Sequence, residues 1–221
     1  MDGEELITGV RLERSDAAFV IRAAEPLQVL STAVLGGGRR SARTIVNLHV
    51  PKDYACAYPE RDLREFARVQ TLAAPLVGLM TAVSIGTGQL LRAEDDGIVV
   101  CALVTVGLSN AVRAGARGPS ESPAAGTINA IFVCDARLRD TAAIELVAIA
   151  AESKGATLAE AGVRTRDGRL ASGTSTDSVV IAWRRKARRQ LRFAGSATSI
   201  GNLVARLMRE AIEVHFSRTS A

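Results

Sequence analysis

Aromatic side chains are scarce in this sequence: one Trp, two Tyr and five Phe among 221 residues. A broad, flat ligand must therefore be walled mainly by Leu, Val, Ala and Met. A stacking platform for single-stranded nucleic acid, which needs aromatics interleaved with bases, is unsupported. Histidine is scarcer still. His49 and His215 are the two present, and neither stands in an HxH or HExxH pattern, so a zinc hydrolase is not indicated. The three cysteines, Cys56, Cys101 and Cys134, are far apart and lack CxxC spacing. They make neither a disulfide framework nor a metal cluster, and the pattern suits a reducing cytoplasm. Cys101 and Cys134 lie in apolar runs, where a free thiol packs as a small hydrophobe.

Long apolar runs are missing too. The longest uncharged stretch, Val69 to Leu91, is interrupted by Pro75, Gly78, Gly86, Gly88 and several hydroxyl and amide side chains, unlike a membrane span. The segment Met1 to Glu5 is acidic and has no basic n-region, so no secretory signal is read there. There is no GxSxG, Walker loop or GxGxxG. Acidic residues are absent from Ser178 to Arg209, and six basic residues fall between Arg184 and Arg192. Removing those six takes the net charge from +5 to −1, so the basicity is local and no broad nucleic-acid surface follows. The run reads first as a solvated loop.

What is present fits one globular domain over residues 1–221, with 48% hydrophobic and 23% charged residues. Residues 1–22 read as an N-terminal β extension, two short strands with a turn near Glu13–Ser15. Strands follow at Gln28–Ala33, ending on the triplet Gly36-Gly37-Gly38, and at Arg43–Val50. Pro59 suits the first turn of a helix reaching Leu72. Pro75–Ala82, Ile98–Val106 and Thr127–Cys134 are continuous apolar runs, typical of strands buried on both faces. Gln89–Ala93 reads as a strand leading to an Asp95-Asp96-Gly97 turn, and Gly107–Gly126 as a loop. Asp140 is read as the cap of a helix to about Ala161, with an apolar stripe of Ile144, Val147, Ala148, Ala151, Gly155 and Leu158. Asp177–Trp183 is a strand. A last helix from Ser199 to about Val214 carries Ile200, Leu203, Val204, Leu207 and Ala211 on one face. The pattern predicts an α/β (α+β) fold, a mixed β-sheet with helices packed against it.

Five polar segments stand at the ends of apolar strands: Ser31–Gly38, Asn47–Tyr54, Thr105–Asn110, Gly126–Asn129 and Gly173–Asp177. Loops at strand ends are where a rigid sheet presents a site. Gly173-Thr174-Ser175-Thr176-Asp177 places three hydroxyls and a carboxylate beside a glycine whose backbone can approach a ligand closely. A turn built from turn-forming residues would look the same. Asn129 suits amide binding, or equally a satisfied buried amide. Glu152 and Lys154 lie two apart on the long helix and do not pair with each other.

In order, these segments resemble one family, the CbiZ-type adenosylcobinamide amidohydrolases. The resemblance runs from about residue 30 to 213. It rests on Ser31 with its following Gly triplet, the Asn47 strand, Thr-Val-Gly-Leu-x-Asn at Thr105–Asn110 and Gly-Thr-Ile-Asn at Gly126–Asn129. It continues through Leu138, the E-x-K of Glu152–Lys154, Gly-Thr-x-Thr-Asp at Gly173–Asp177, and Ala-Gly-x-x-Thr-x-x-Gly from Ala194 to Gly201. The resemblance implies hydrolysis of the amide between the corrin ring and aminopropanol of adenosylcobinamide, giving adenosylcobyric acid and aminopropanol. It implies a cytoplasmic corrinoid-salvage enzyme with no resident cofactor, since the cobalt arrives within the substrate. A small-molecule corrinoid is the expected partner, with no nucleic acid and no membrane. Self-association into a homo-oligomer is left open.

Such a reaction needs an activated water or nucleophile, donors for an oxyanion and a proton for the departing amine. The expected reacting groups are Asp177 as general base, helped or replaced by Glu152, with Thr174, Thr176 and nearby N–H groups on the oxyanion and Lys154 or Asn47 positioning the amide. Ser31, Asn47, Thr105, Asn110, Thr127, Asn129, Gly173 and Thr176 are the expected substrate-binding residues, since a corrinoid carries many carboxamides. A variant makes Thr127 a nucleophile after cleavage at Gly126. The rivals are a corrinoid-binding protein without catalysis, another amide hydrolase on the same fold, and an anion-binding module. Cobinamide offers no counter-charge to the basic run, whereas a complete cobamide such as pseudocobalamin offers a phosphodiester.

Overall fold

The apolar runs pair into one nine-stranded mixed sheet in a computed structural model that describes residues 3–116 and 126–219. β1 (Glu4–Ile7), β2 (Val10–Arg14) and β3 (Ala18–Ser31) form an antiparallel meander. β3 is the organiser. One edge of it pairs along its length with β4 (Gly38–His49), and the other pairs first with β2 and then with β12 (Ser178–Trp183). Beyond β12 come β9 (Ile128–Cys134), β7 (Ile98–Val106) and the edge strand β6 (Gln89–Asp95). β5 (Leu76–Thr81) extends the other wing, parallel to β4.

Two crossover units close the architecture. Between β4 and β5 runs α1 (Pro59–Val69), whose buried Leu63 packs on the outer face of that wing. A Cβ on Gly78 would lie 3.0 Å from both Leu63 methyls, so a glycine there lets the helix seat. Between parallel β9 and β12 runs α2 (Asp140–Glu160), and α3 (Ser199–Thr219) lies beside it. Both helices cover one face of β7, β9 and β12, around Phe132, Ile181 and Trp183. The opposite face curls around a second core that includes Leu12, Ile45, Leu79, Leu103, Ile131 and Val180. Cys101 donates its thiol to the carbonyl of Leu6, 3.2 Å away, which ties β1 across this interior. The result is a single-domain mixed α/β fold whose one large sheet curls over that second core.

Several details differ from expectation. β3 is one continuous 14-residue strand, because a register irregularity between Arg22 and Leu27 absorbs Glu25-Pro26 without ending the pairing. Asp140 is the first residue of α2 and pairs with Arg39, while Arg139 holds the cap position without a side-chain cap bond. The buried face of α2 is Ala142, Ala143, Leu146, Ile149, Ala150, Lys154, Thr157 and Leu158. Ile144, Ala148 and Ala151 of the expected stripe face outward, and Ile144 is 58% exposed. The expected loop over 107–126 falls partly outside the described residues. Its described part contains β8 (Ala111–Val112), antiparallel to β11 (Gly173–Thr174). A further short parallel pair joins β10 (Arg137–Leu138) to β13 (Gln190–Leu191).

Candidate active site

Strand alternation decides what meets at one end of the curled sheet. Inward-facing residues along β4, β7 and β9 are apolar until the last layer, where each strand presents a polar residue: Asn47, Thr105 and Asn129. The three are at most 1% exposed. Asn129 donates from Nδ2 to Asn47 Oδ1 at 2.9 Å and to the Met80 carbonyl at 2.8 Å. Asn47 donates from its own Nδ2 to Thr105 Oγ1 at 3.2 Å. Strands that are not neighbours in the sheet are thus stitched across its interior by amides.

The single hydroxyl proton of Thr127 is shared between the Thr176 carbonyl at 2.9 Å and Asn129 Oδ1 at 3.2 Å. Thr176 returns a bond from its hydroxyl to the Gly126 carbonyl at 2.9 Å. Through these two threonines the interior amides connect with the other face of the sheet, where Asp177 precedes β12 and points toward α2.

Asp177 is the hub of that second cluster. Its Oδ1 accepts the Ile128 N–H at 2.9 Å and the Thr174 hydroxyl, and its Oδ2 accepts the Thr174 N–H at 2.9 Å and the ammonium of Lys154. Four donors converge on one carboxylate, two from backbone and two from side chains. The Lys154 and Asp177 side chains are each 11% exposed, so this ion pair is largely removed from water. Lys154 reaches it because α2 turns that position inward, between Ala150 and Leu158. Gly173 makes room: a Cβ there would fall 3.0 Å from Lys154 Nζ and would also collide with the Asp177 carboxylate. The β8–β11 ribbon brings in the preceding motif, so that Asn110 donates to Ser175 Oγ at 2.9 Å. Gly126 matters for the same reason as Gly173, since a Cβ on it would sit 2.5 Å from Ser109 Oγ and 2.7 Å from Asn110 Oδ1.

One network therefore gathers Asp177, Lys154, Thr174, Gly173, Thr176, Thr127, Asn129, Asn47, Thr105 and Asn110. Ser31 lies at the end of β3 opposite Val180, two residues from Ser178. Ser31 Oγ and Asn110 Oδ1 are buried and have no hydrogen-bond partner among the described residues. Glu152 is not brought in. It is exposed, and two helix positions from Lys154 turn it about 200° away from the cluster. Sequence reasoning missed the Met80 carbonyl and the Ile128 N–H, which are backbone groups with no residue-type signal. It also missed Ser175 as the partner of Asn110, which only the β8–β11 pairing shows.

The thiols do not take part. Burial pushes Cys101 up to about 11 and Cys134 up to about 12, so both stay protonated near neutrality. Among the described residues no three His, Cys, Asp or Glu side chains converge as a metal ion needs. None of the helices described is long and apolar enough to cross a membrane.

Two cavities lie elsewhere. One of about 650 Å³ is bordered by Arg43, Pro75 and Arg184–Lys186, and a shallower one of about 510 Å³ by Arg39, Arg139 and Trp183. Both are at the pole where β12 ends, whereas the polar network is where β12 begins.

A family model described as adenosylcobinamide amidohydrolase matches residues 3–219. A Methanosarcina mazei protein named adenosylcobinamide amidohydrolase is 33% identical over 187 residues, which is 81% of this chain and 85% of that protein. A Halobacterium salinarum protein of the same name is 30% identical over 203 residues, 87% of this chain and 81% of that one. A solved Pyrococcus horikoshii structure aligns over 96% of this chain and 79% of its own at 12% identity and a TM-score of 0.43. The chain belongs to the adenosylcobinamide amidohydrolase family, hydrolases that act on an amide bond.

Proposed function

We propose that the chain hydrolyses the amide between the corrin ring and the aminopropanol of adenosylcobinamide, releasing adenosylcobyric acid and aminopropanol for corrinoid salvage in the cytoplasm. The observation that carries this is convergence. Gly126–Asn129, Thr105–Asn110, Gly173–Asp177, Asn47 and Lys154, all read as one family's motifs, share a single hydrogen-bonded network.

In this reading Asp177 is the general base. Its four acceptor positions are filled, and the Thr174 hydroxyl is the bond that a water can replace without moving the backbone. The carboxylate takes a proton from that water as the oxygen adds to the amide carbon. The ammonium of Lys154 and the freed Thr174 hydroxyl face the developing oxyanion. The proton held by Asp177 then passes to the nitrogen as the C–N bond breaks, and aminopropanol leaves as an amine. Asn110 Oδ1 and Ser31 Oγ are the acceptors free to receive carboxamide N–H groups from the ring periphery. Each is a buried acceptor that costs about 1–3 kcal/mol while unpaired, which a carboxamide-rich ligand would recover.

The test is incubation of the purified chain with adenosylcobinamide and mass analysis of the products. Adenosylcobyric acid and aminopropanol in equal amounts are expected. Tight binding with no release of aminopropanol would make the chain a corrinoid binder instead.

A further inference from the structure

The polar network leaves the cavity of about 650 Å³ unexplained, and its chemistry is of another kind. We infer that this cavity is a binding site for a small phosphorylated ligand of nucleotide size. Four cations border it, Arg43, Arg184, Arg185 and Lys186, against one carboxylate, Glu25. Two of the cations are fixed by the fold. Arg43 donates to the Ala24 carbonyl at 2.6 Å, and Arg184 pairs with Asp135 at 2.8 Å and also donates to the Thr8 carbonyl. The other two, Arg185 and Lys186, form no ion pair or side-chain hydrogen bond among the described residues and are exposed at the rim.

Leaving adjacent cations unpaired costs electrostatic repulsion, which an anion relieves. Guanidinium forks match phosphate oxygens in particular. The remaining wall is mostly apolar, with Val10, Pro26, Leu27 and Pro75 beside the hydroxyls of Thr8 and Ser41, and suits the body of the ligand rather than its charge. The volume lies within the roughly 300–1,000 Å³ usual for small-molecule sites, too small for a macromolecular surface. No acidic residue from Ser178 to Arg209 is available to neutralise the run internally. The inference does not rest on the proposed hydrolysis.

The experiment is calorimetric titration of the full chain with adenosine triphosphate and, separately, with inorganic phosphate, at low and high salt. Saturable binding of the nucleotide at one site per chain is expected, at least about tenfold tighter than phosphate and weakened by salt. The Arg185→Ala/Lys186→Ala double variant should lose about tenfold or more in nucleotide affinity, with adenosylcobinamide turnover unchanged. Glu25→Gln, which removes the opposing charge, should tighten binding several-fold. Nucleotide binding that both variants leave unaltered would overturn the assignment. So would the absence of nucleotide binding to a chain that turns over its corrinoid, or binding only to a nucleic-acid duplex.

Discussion

Asp177 and Lys154 form a buried ion pair whose structural contribution can be separated from the catalytic role proposed for it. As a pair removed from water, each compensates the other's charge, and breaking such a pair from one side costs about 3–5 kcal/mol. Asp177→Asn should therefore lower the thermal midpoint as well as turnover, the latter by roughly 10²–10⁴-fold if the carboxylate is the base. The double change Asp177→Leu with Lys154→Met removes both charges at similar volume. It should recover most of the lost stability while turnover stays absent. If Asp177→Asn loses stability yet keeps turnover within about threefold, the carboxylate only braces the β11–β12 turn. Thiol chemistry gives a second check at this scale. A thiol whose ionisation is pushed upward by folding stabilises the native state below about pH 9, and that contribution fades as pH rises toward 11 or 12. Native chain treated with iodoacetamide at pH 8 should take label at exposed Cys56 alone, and at all three cysteines once unfolded, as read by mass analysis. Much of the candidate site was legible residue by residue, because Asn, Thr and Asp at the ends of apolar strands are costly to bury without partners. Glu152 was not legible, since an E-x-K pair on a helix points its two members to different sides.

Helix phase is where pattern reading failed most clearly. α2 is apolar almost all round, so Ile144, Val147, Ala148 and Ala151 make as good a stripe as the true one, Ala142, Leu146, Ile149 and Ala150. The phase is set instead by two tertiary demands: small residues against the sheet and Lys154 within reach of Asp177. α3 posed no such ambiguity. Its expected face is the buried one, because Arg206, Arg209 and Glu210 mark the other side. The strand bounds of β7 and β9 were equally plain from continuous apolar runs, whereas β3 hid behind Glu25-Pro26, which looks like a turn when the bulge cannot be seen. The phase of α2 gives a sharp prediction. Leu146→Ala should destabilise by about 2–5 kcal/mol, as a buried cavity does, while Ile144→Glu should change stability by less than about 0.5 kcal/mol. Denaturant melts of the two variants decide it, and a reversed order would rotate the helix back.

Across the whole molecule the curled sheet separates two chemistries. Five steps of strand rise carry β12 from Ser178 to Trp183, about 17 Å at 3.3 Å each, and Arg184 follows it. A phosphodiester in a complete cobamide hangs from the aminopropanol, next to the scissile amide, and would lie at the Asp177 pole if that amide is cut there. Arg184–Arg192 is therefore not placed to read it. At physiological ionic strength exposed charges are screened over about 8 Å, less than half this distance. Whichever corrinoid is preferred, the ratio of turnover on adenosylcobinamide to turnover on adenosyl-pseudocobalamin should change by less than about twofold between 50 and 300 mM salt. A ratio that swings fivefold or more would mean that the basic run meets the substrate directly, and the reacting amide would then have to sit at the Arg184 pole, away from Asp177.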